Sequence, residues 1–507
     1  MLPLTVKAPA DSLAVIDIGS NSARLVIYRR EAGGQLRILG SARQSLGLVR
    51  EVDRTRRLST KAMATTIRAL ADFRSMVRAY GAPRLFAVAT AAMREADNGH
   101  ELISRARLEL GLRIDLIDAG KEGYYGAMGG IRALPVKDGI VFDLGGGSVQ
   151  VVPFQDRQPG IASSLPLGSL RLSEAFIRHD PPSKREVRTL RDYVQRTLDE
   201  VRLPRLKSNQ VLVGVGGTIR NLAKVDARLL EFPIARVHGY RLSRDRLGKL
   251  VHLLCSKPIR SAKPLAGLSR EREESIVGGA LAIEAIADAV GGHDIVVSGH
   301  GVREGLGHSL AREELPSAET VRDAAVASLA ARFNTCDPEW AKRRPEIAAK
   351  LQHALQPRAH PEIKTAVEQA AILVDIGRSV DFFDRYAHAA AMVMNTELDG
   401  FSHSQIVLLS TIIARARDED ADLHLVAPFL RGIEHAEIKR AAILLRLADD
   451  MVQRLPRKGP VAFECRVGRR DAHIVGHGLE GWTPHGIASR FEREFERRLI
   501  VRAPAAG

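Results

Sequence analysis

The sequence predicts an α/β protein of two similar lobes with a cleft between them, followed by a helical region and a small C-terminal module. A strand–turn–strand pattern, with an aspartate ending its first strand, occurs at residues 15–28 and recurs at residues 141–154. Beyond about residue 310 the apolar residues fall at helical spacing almost throughout. The duplication predicts two α/β lobes that each bury one face of their sheet and meet at a cleft.

The first lobe alternates strand and helix patterns. Short apolar runs bounded by turn residues predict strands, and apolar residues at helical spacing predict helices. Ser59 is a favourable N-cap for the longest of these helices. The predicted elements are strands at Leu13–Asp17, Ala23–Arg30, Leu36–Ser41, Leu85–Ala89 and Ile114–Ile117, and helices at 59–80, 99–110 and 123–133.

The second lobe repeats this layout and adds a third glycine turn, Gly214-Val215-Gly216-Gly217-Thr218. That turn leads into a helix, and the N-terminus of a helix is a natural binding site for an anion. The predicted elements are strands at Ile140–Asp143, Val149–Phe154, Ile161–Pro166, Val211–Val215 and Ile295–Ser298, and a helix near 184–203.

The C-terminal third is predicted to be helical, with a break at Pro456 and Gly459. After that break we expect a small α+β module of two short strands and a charged helix at Ser489–Leu499. The predicted helices before it are 318–333, 340–356, 361–376, 384–396, 403–417 and 435–453. The predicted domains are 1–125, 126–310, 311–456 and 457–507.

Composition narrows the class of protein. The net charge is +15, which favours a polyanionic partner, although general solubility would also explain it. Aromatic residues make up only 5% of the chain, which argues against widespread stacking on bases and so against a nucleic-acid partner. Three cysteines without metal-ligand spacing, no signal-length apolar start and no membrane-length apolar run predict a reduced, soluble, cytoplasmic protein that does not bind a membrane.

The two repeated turns carry the chemistry. They read Asp17-Ile18-Gly19-Ser20-Asn21-Ser22 and Asp143-Leu144-Gly145-Gly146-Gly147-Ser148. Glycines permit positive φ and close approach of a ligand, and successive backbone N–H groups form an anion-binding concavity. The turns are therefore predicted to hold a phosphate chain from two sides, the alternative being simple hairpins. The carboxylate of Asp143 is the better ligand for Mg²⁺, which binds one or two carboxylates together with phosphate oxygens.

These turns and the Gly214–Thr218 turn, in this order and spacing, resemble the Ppx/GppA phosphatase family. The resemblance covers about residues 12–310 well and the helical region more weakly. It implies two actin-like (ribonuclease H-like) lobes, an all-helical HD-like domain, Mg²⁺ as the cofactor and a homodimer. Family members are exopolyphosphatases and guanosine pentaphosphate phosphohydrolases.

The resemblance also implies a catalytic carboxylate within residues 118–126. An ungapped match gives that position to Glu122, whereas a shifted match gives it to Gly123. We prefer Glu122 because it leaves a carboxylate available and keeps an interval of 21 residues to Asp143. Lys121, beside it, is assigned no role. The residues implied to bind phosphate are Asp17, Gly19, Ser20, Asn21, Ser22, Arg94, Gly145, Gly146, Gly147, Ser148, Gly216, Gly217 and Thr218, and the metal ligand is Asp143.

Several positions depart from the family pattern or lie outside it. Gln150 stands where a glutamate commonly follows the second turn, and Val374-Asp375 stands where an HD pair would lie, which predicts a helical scaffold in place of a metal site. Arg171 and Arg303 are candidates for structural or supporting roles. The basic run at residues 341–344 is predicted to line a substrate channel or to form a solvated face.

The sequence thus favours an exopolyphosphatase, which releases orthophosphate from the end of inorganic polyphosphate through a water activated by Glu122. The excess of positive charge favours this long polyanion. The alternatives are a guanosine pentaphosphate phosphohydrolase and a weakly catalytic regulator that binds polyphosphate or guanosine penta- or tetraphosphate. The chain carries neither a P-loop signature nor the Gly-x-Ser-x-Gly signature of a serine nucleophile.

Overall fold

The structure, a computed structural model, describes residues 11–261, 264–310, 315–333, 337–417 and 426–504. Contacts divide the chain into two compact units, Met1–Val321 and Arg322–Gly507. Of the three cysteines, Cys255 and Cys465 are free, and Cys336 lies outside the described residues. None of the described helices combines the length and hydropathy that a membrane span requires.

The first lobe of the first unit is built on a five-stranded sheet with the order β3-β2-β1-β4-β5. The apolar runs recognised in the sequence form its strands, and the side chains between sheet and helices make one buried core. The elements are β1 Ser12–Ile18, β2 Ser22–Arg30, β3 Leu36–Ser45, α1 Leu48–Thr55, α2 Thr60–Tyr80, β4 Arg84–Ala89, α3 Ala91–Glu95, α4 Gly99–Leu110, β5 Ile114–Leu116 and α5 Ala119–Arg132.

The second lobe has a sheet with the order β11-β12-β10-β6-β7-β8, in which β9 also pairs with β7. Its core lies between this sheet and the helices that follow each strand. The elements are β6 Gly139–Leu144, β7 Val149–Gln155, β8 Gln158–Pro159, β9 Ser163–Leu165, α6 Ser169–Phe176, α7 Lys184–Val201, β10 Val211–Val215, α8 Gly217–Leu229, β11 Arg241–Leu242, α9 Arg244–Ser256, α10 Ile276–Ala289, β12 Ile295–Val297 and α11 Val302–Ser309.

Strand pairing confirms the predicted duplication. In each lobe the first strand pairs antiparallel with the second and parallel with a later one: β1 with β2 and β4, and β6 with β7 and β10. The remaining parallel neighbours, β5 and β12, extend the two sheets in the same direction. Each Asp-Gly turn therefore occupies the same place, at the carboxyl end of the first strand of its lobe.

Helices α5 and α11 pack against each other through glycines. A Cβ atom at Gly129 would lie 2.2 Å from the carbonyl oxygen of Gly301, and one at Gly305 would lie 1.9 Å from that of Tyr125. No side chain fits at such distances, so the two helix backbones lie in direct contact. The predicted boundary after residue 125 falls within α5.

The second unit is mainly helical and ends in a three-stranded sheet with the order β13-β14-β15. Helix α12 begins just before the division between the two units. The elements are α12 Ala318–Ala331, α13 Pro338–Leu355, α14 Pro361–Leu373, α15 Arg385–Asn395, α16 His403–Arg417, α17 His435–Val452, β13 Glu464–Val467, β14 Asp471–Val475, α18 His485–Phe495 and β15 Arg498–Arg502.

The C-terminal module differs in detail from the prediction. Its helix ends at Phe495 because Glu496 adopts a left-handed conformation, with φ of 54°. The predicted extension of the helix to Leu499 is therefore wrong. Residues Arg498–Arg502 form a third strand, which pairs parallel with β14. Phe491 and Phe495, stacked with ring centroids 4.4 Å apart, supply the buried face of the helix.

The second unit buries a group of charged side chains that we call the buried ion cluster. It comprises Arg344, Asp375, Arg378, Arg385 and Asp449. The guanidinium of Arg344 lies 2.5 Å from the carboxylate of Asp375 and 2.9 Å from that of Asp449, and all three side chains are buried. Both interpretations of residues 341–344, a channel and a solvated face, are wrong for Arg344. They are also wrong for Arg343, which is buried and donates to the carbonyl oxygens of Pro456 and Gly459.

Candidate active site

The two Asp-Gly turns have the same backbone geometry. The N–H of Gly19 donates to the carbonyl oxygen of Ser22 at 3.1 Å, and the N–H of Gly145 donates to that of Ser148 at 2.9 Å. Each turn therefore closes a hairpin in which the aspartate lies two residues before the first turn glycine. Both aspartates point into the cleft between the lobes.

The glycines of these turns serve close packing and not positive φ. The φ angles of Gly19, Gly145, Gly146 and Gly147 all lie outside the left-handed region, so the first reason that we gave for them is wrong. A Cβ atom at Gly146 would lie 3.0 Å from the Cβ of Asn21, and one at Gly147 would lie 2.7 Å from the Oγ of Ser20. The two turns touch each other across the cleft because these positions lack side chains.

The third turn does need a glycine for its backbone. Gly216 has a φ of 104° and precedes helix α8, whose first residue is Gly217. Both glycines line the cleft. Thr218 does not: its side chain is fully buried, and its hydroxyl has no hydrogen-bond partner among the described residues.

The cleft brings most of the predicted residues together. Those that line it are Asp17, Gly19, Ser20, Asn21, Ser22, Glu122, Asp143, Gly145, Gly146, Gly147, Ser148, Gly216 and Gly217. Gln150 lines it as well, as do residues that we did not select as phosphate ligands: Arg24, Thr90, Arg220, Arg272 and Arg303. Arg94, Thr218 and Arg171 are not among the lining residues.

Glu122 lies in the first turn of α5 and pairs with Arg94. The Nη1 atom of Arg94 donates to the Oε2 of Glu122 at 2.8 Å and to the carbonyl oxygen of Ile117 at 2.8 Å. Burial raises the pKa of Glu122 to about 7, although Arg94 acts in the opposite direction. Gly123, the alternative, packs against the Cβ of Ala162, where a side chain would not fit. Glu122 is thus a partly buried carboxyl group, with a side chain 12% exposed, whose pKa lies near neutral pH.

The two turn aspartates are carboxylates without cationic partners in contact. Among the residues that the structure describes, neither Asp17 nor Asp143 accepts a side-chain hydrogen bond or forms an ion pair within 4 Å. Burial raises the pKa of Asp17, and raises that of Asp143 to about 6, with Asp17 adding to the effect. A pair of oxygen donors with raised pKa values, beside backbone donors for phosphate, fits the preference of Mg²⁺ for hard oxygen ligands.

Gln150 is bonded to the second turn and is not assigned to the pair of carboxylates formed by Asp17 and Asp143. Its Nε2 donates to the Oγ of Ser148 at 2.8 Å, and the side chain is buried. The amide therefore stabilises the second turn from within. Asp143 remains the residue best placed to hold a metal ion.

Four arginines in the cleft escaped prediction as phosphate ligands. Arg24 follows the first turn on β2, Arg220 lies in α8, Arg272 precedes α10, and Arg303 begins α11. They are spread over 280 residues of sequence, and only the folding of both lobes brings them together. Burial, and then Arg303, Arg220 and Arg272, lower the pKa of Arg24 to about 9. The cations thus repel one another, and a bound polyanion would relieve that repulsion.

Arg303 interacts electrostatically with the buried carboxylate of its neighbour, Glu304. Glu304 accepts hydrogen bonds from the hydroxyl of Tyr28 at 2.6 Å and from the N–H of Gly301 at 2.8 Å. Burial acts to raise the pKa of Glu304, but Arg303 and His300 outweigh it, so the pKa lies below the ordinary value. An ionised Glu304 therefore fixes the start of α11 and balances the charge of Arg303.

Comparison with known sequences agrees with this geometry. A sequence profile described as the Ppx/GppA phosphatase family matches residues 26–314, and one described as domain III of that phosphatase matches residues 321–459. Exopolyphosphatase 1 of Mycobacterium leprae is 29% identical over 298 residues, which are 58% of this chain and 88% of that protein. The protein of the same name from Mycobacterium tuberculosis strain H37Rv is also 29% identical, with 86% of its length covered.

Solved structures resemble about three fifths of the chain. The Ppx/GppA family member of Aquifex aeolicus superposes with a TM-score of 0.53 and is 29% identical, covering 59% of this chain and 97% of its own. An exopolyphosphatase from Cytophaga hutchinsonii superposes with a TM-score of 0.53 at 24% identity, covering 60% of this chain and all of its own. The second likeness concerns the fold alone.

Proposed function

Because the chain belongs to the Ppx/GppA phosphatase family, we propose that it hydrolyses the terminal phosphoanhydride bond of inorganic polyphosphate and releases orthophosphate. Matched relatives carry the name exopolyphosphatase. The single observation that carries the proposal for this chain is the composition of the cleft. Two turns rich in backbone N–H groups, four arginines and a partly buried carboxyl group with a pKa of about 7 line one cavity.

In the proposed reaction, Glu122 accepts a proton from a water molecule. The water oxygen forms a bond to the terminal phosphorus, the anhydride P–O bond breaks, and the shortened chain leaves with the bridging oxygen. A pKa of about 7 suits a base that works near neutral pH. Arg94 holds the carboxyl group in place by its bond to Oε2. Phosphoryl transfer needs mainly such positioning and electrostatic stabilisation.

The phosphate oxygens would be bound by the chain's own donors. The N–H groups of Gly146 and Gly147 come from the second turn, and the side chains of Ser20 and Asn21 come from the first turn, which lies against it in the cleft. The N–H of Gly145 is already bound to the carbonyl oxygen of Ser148. Arg272 and Arg303 present planar guanidinium groups, which can engage two oxygens of one phosphate. Mg²⁺, when held by Asp143 with help from Asp17, would neutralise charge on the substrate and product phosphates.

The lining of the cleft favours polyphosphate over a guanine nucleotide. Every described side chain that lines the cavity is polar, charged or aliphatic, and none is aromatic. A guanine base binds most simply by stacking on an aromatic ring, whereas a phosphate chain needs only the donors and cations present here. Guanosine pentaphosphate hydrolysis is therefore the lesser expectation.

Orthophosphate release by the full-length chain tests the proposal. With Mg²⁺ present, we expect the wild type to release phosphate from long polyphosphate faster than from guanosine pentaphosphate. Replacing Glu122 by Gln should lower kcat about a hundredfold or more, because removal of a general base costs roughly 10²- to 10⁴-fold. Omitting Mg²⁺ should also lower the rate.

Glu101→Gln is a suitable control, because Glu101 is exposed in the first turn of another helix of the same lobe. It should keep the wild-type rate. A wild type that releases no phosphate under varied metal and salt would leave the binding regulator as the better reading. Full activity in Glu122→Gln would remove Glu122 from the mechanism.

A further inference from the structure

Arg171 joins the two lobes beside the cleft. It lies in α6 of the second lobe, and its Nε atom lies 3.0 Å from both carboxylate oxygens of Asp53, a residue of α1 in the first lobe. Its Nη2 atom donates to Glu95 of α3, also in the first lobe. The side chain of Arg171 is only 14% exposed, whereas those of Asp53 and Glu95 are 37% and 30% exposed. The guanidinium is therefore the sheltered partner of both ion pairs.

The backbone around Arg171 holds the second turn. The N–H groups of Leu170 and Arg171 donate to the carbonyl oxygen of Gly146 at 3.0 and 3.1 Å. The N–H of Ser169 donates to the carbonyl oxygen of Gly145 at 3.0 Å. A shift of Arg171 along the axis of α6 would therefore move the Gly145–Gly147 turn with it.

The two carboxylate partners of Arg171 are tied to the other half of the site. Asp53 lies on α1, where the N–H of Val49 donates to the carbonyl oxygen of Ser20 in the first turn at 3.0 Å. Glu95 directly follows Arg94, which binds Glu122. One guanidinium thus connects the second turn to the first turn and to the helix that carries Arg94.

We propose that Arg171 is a positioning residue that sets the separation of the two turns and the place of the Arg94–Glu122 pair. The side chains of Arg50 and Arg43 also cross between the lobes, to Glu174 at 3.1 Å and to Glu271, but both are more exposed than that of Arg171. Of these three arginines, Arg171 is the one that contacts both α1 and α3 of the first lobe and whose backbone N–H donates to the second turn.

Enzyme kinetics test this role, and this part of the test rests on the proposed function. Arg171→Met should lower kcat/KM for long polyphosphate about a hundredfold and raise KM, because small misplacements of reacting groups cost that much. Arg171→Lys keeps the positive charge but lacks the planar guanidinium, so its kcat/KM should lie between that of the wild type and that of Arg171→Met. The control is Arg246→Met, since Arg246 pairs with the buried Asp226 within the second lobe only.

KM separates positioning from a general loss of folded protein. A smaller active fraction lowers the apparent kcat and leaves KM unchanged, which is the result expected for Arg246→Met. The double variant Asp53→Asn/Glu95→Gln should reproduce the KM of Arg171→Met, and the triple variant should be no worse than either. Additive losses in the triple variant would mean that these residues act separately and would overturn the proposal.

A distance measurement tests the separation of the lobes independently of any activity. Spin labels at cysteines introduced for Arg54 on α1 and Ala175 on α6, both exposed, would report the distance across the contact, in a background without the native cysteines. Arg171→Met should shift the distribution to longer distances, and Arg246→Met should not. An unchanged distribution in Arg171→Met would overturn the proposal even if polyphosphate is not the substrate.

Discussion

The buried ion cluster of the second unit and the cleft of the first unit both concentrate arginines and aspartates. Within the described part of the chain, only in the cluster do the arginines and aspartates form ion pairs with each other. In the cluster, Asp375 and Asp449 are each bound by two or more guanidinium groups. In the cleft, Asp17 and Asp143 have no ion-pair partner within 4 Å among the described residues.

The electrostatics follow this difference. The arginines of the cluster hold the pKa of Asp449 below its ordinary value against the effect of burial. In the cleft, burial prevails and raises the pKa of Asp143 to about 6, while it lowers that of Arg272 to about 10. Charges that are paired with each other stabilise a fold. Charges that are not paired within a cavity can instead pair with a charged ligand.

Arg344→Met should break the cluster and have the largest effect on stability. Removing one partner of a buried ion pair typically costs about 3–5 kcal/mol because the other charges remain buried. Both tryptophans, Trp340 and Trp482, lie in the second unit, so denaturant unfolding followed by tryptophan fluorescence reports on that unit. The neighbouring Lys342 is exposed, and Lys342→Met should change stability by less than about 0.5 kcal/mol. Equal effects of the two substitutions would show that the buried ion cluster does not stabilise the second unit more than a surface residue does.

Arg272→Ala should weaken substrate binding without destabilising the fold, the reverse of the cluster variant. The guanidinium of Arg272 donates no hydrogen bond to another described residue, and it lies against Gly217 in the cleft. Loss of a hydrogen bond to a charged ligand is worth about 1.5–3 kcal/mol, or roughly a 10- to 100-fold rise in KM for polyphosphate. Steady-state kinetics and thermal unfolding measure the two quantities, and Arg105→Ala, on the surface of the first lobe, is the control. An unchanged KM with a lower melting temperature would place Arg272 with the structural arginines.

The pH dependence should show the smallest of these effects, about tenfold per pH unit. A base must be deprotonated, so kcat/KM should rise as the pH approaches 7 and level off above it, because the pKa of Glu122 is raised to about 7. The residual activity of Glu122→Gln should lack this step and show only the titration of the substrate.

Stability should change with pH in the opposite direction. A carboxyl group whose folded pKa exceeds its unfolded value binds more protons when folded, so its contribution to stability is lost as pH rises from about 4.5 through 7. Unfolding free energies of the wild type and Glu122→Gln over this range check the sign. A wild type that gains stability relative to the variant over this range would show that the folded pKa of Glu122 is not raised.

Local sequence patterns were sufficient for most strands of the two lobes and for the two aspartate turns, but not for the short β8 and β11 or for β15 of the second unit. Asp17 and Asp143 end apolar runs of strand length, and this alone places them at equivalent ends of two sheets. The sequence did not reveal why glycines are required in the two turns. A glycine required for close packing looks the same in sequence as one required for positive φ, and the contact of Gly146 with Asn21 exists only after both lobes have folded.

The arginines show a second limit. Arg24 and Arg272 belong to different lobes and carry no local mark that distinguishes them from the other basic residues. For Arg344 a signal was present, because it lies on the same face of α13 as the buried Ile347, Ala348 and Leu351, at spacings of three, four and seven residues. For Arg344, apolar periodicity therefore predicts burial better than the basic character of the neighbouring residues does.

Helix α5 has a consequence for the independence of the two lobes. Its first turn carries Glu122, which is paired with Arg94 of the first lobe, and its later residues pack against the strands of the second lobe and against α11. Cutting the chain at either end of α5 would leave one half without the carboxyl group or without the surface that holds it. The two lobes therefore depend on each other through α5, and neither is expected to be active when expressed alone.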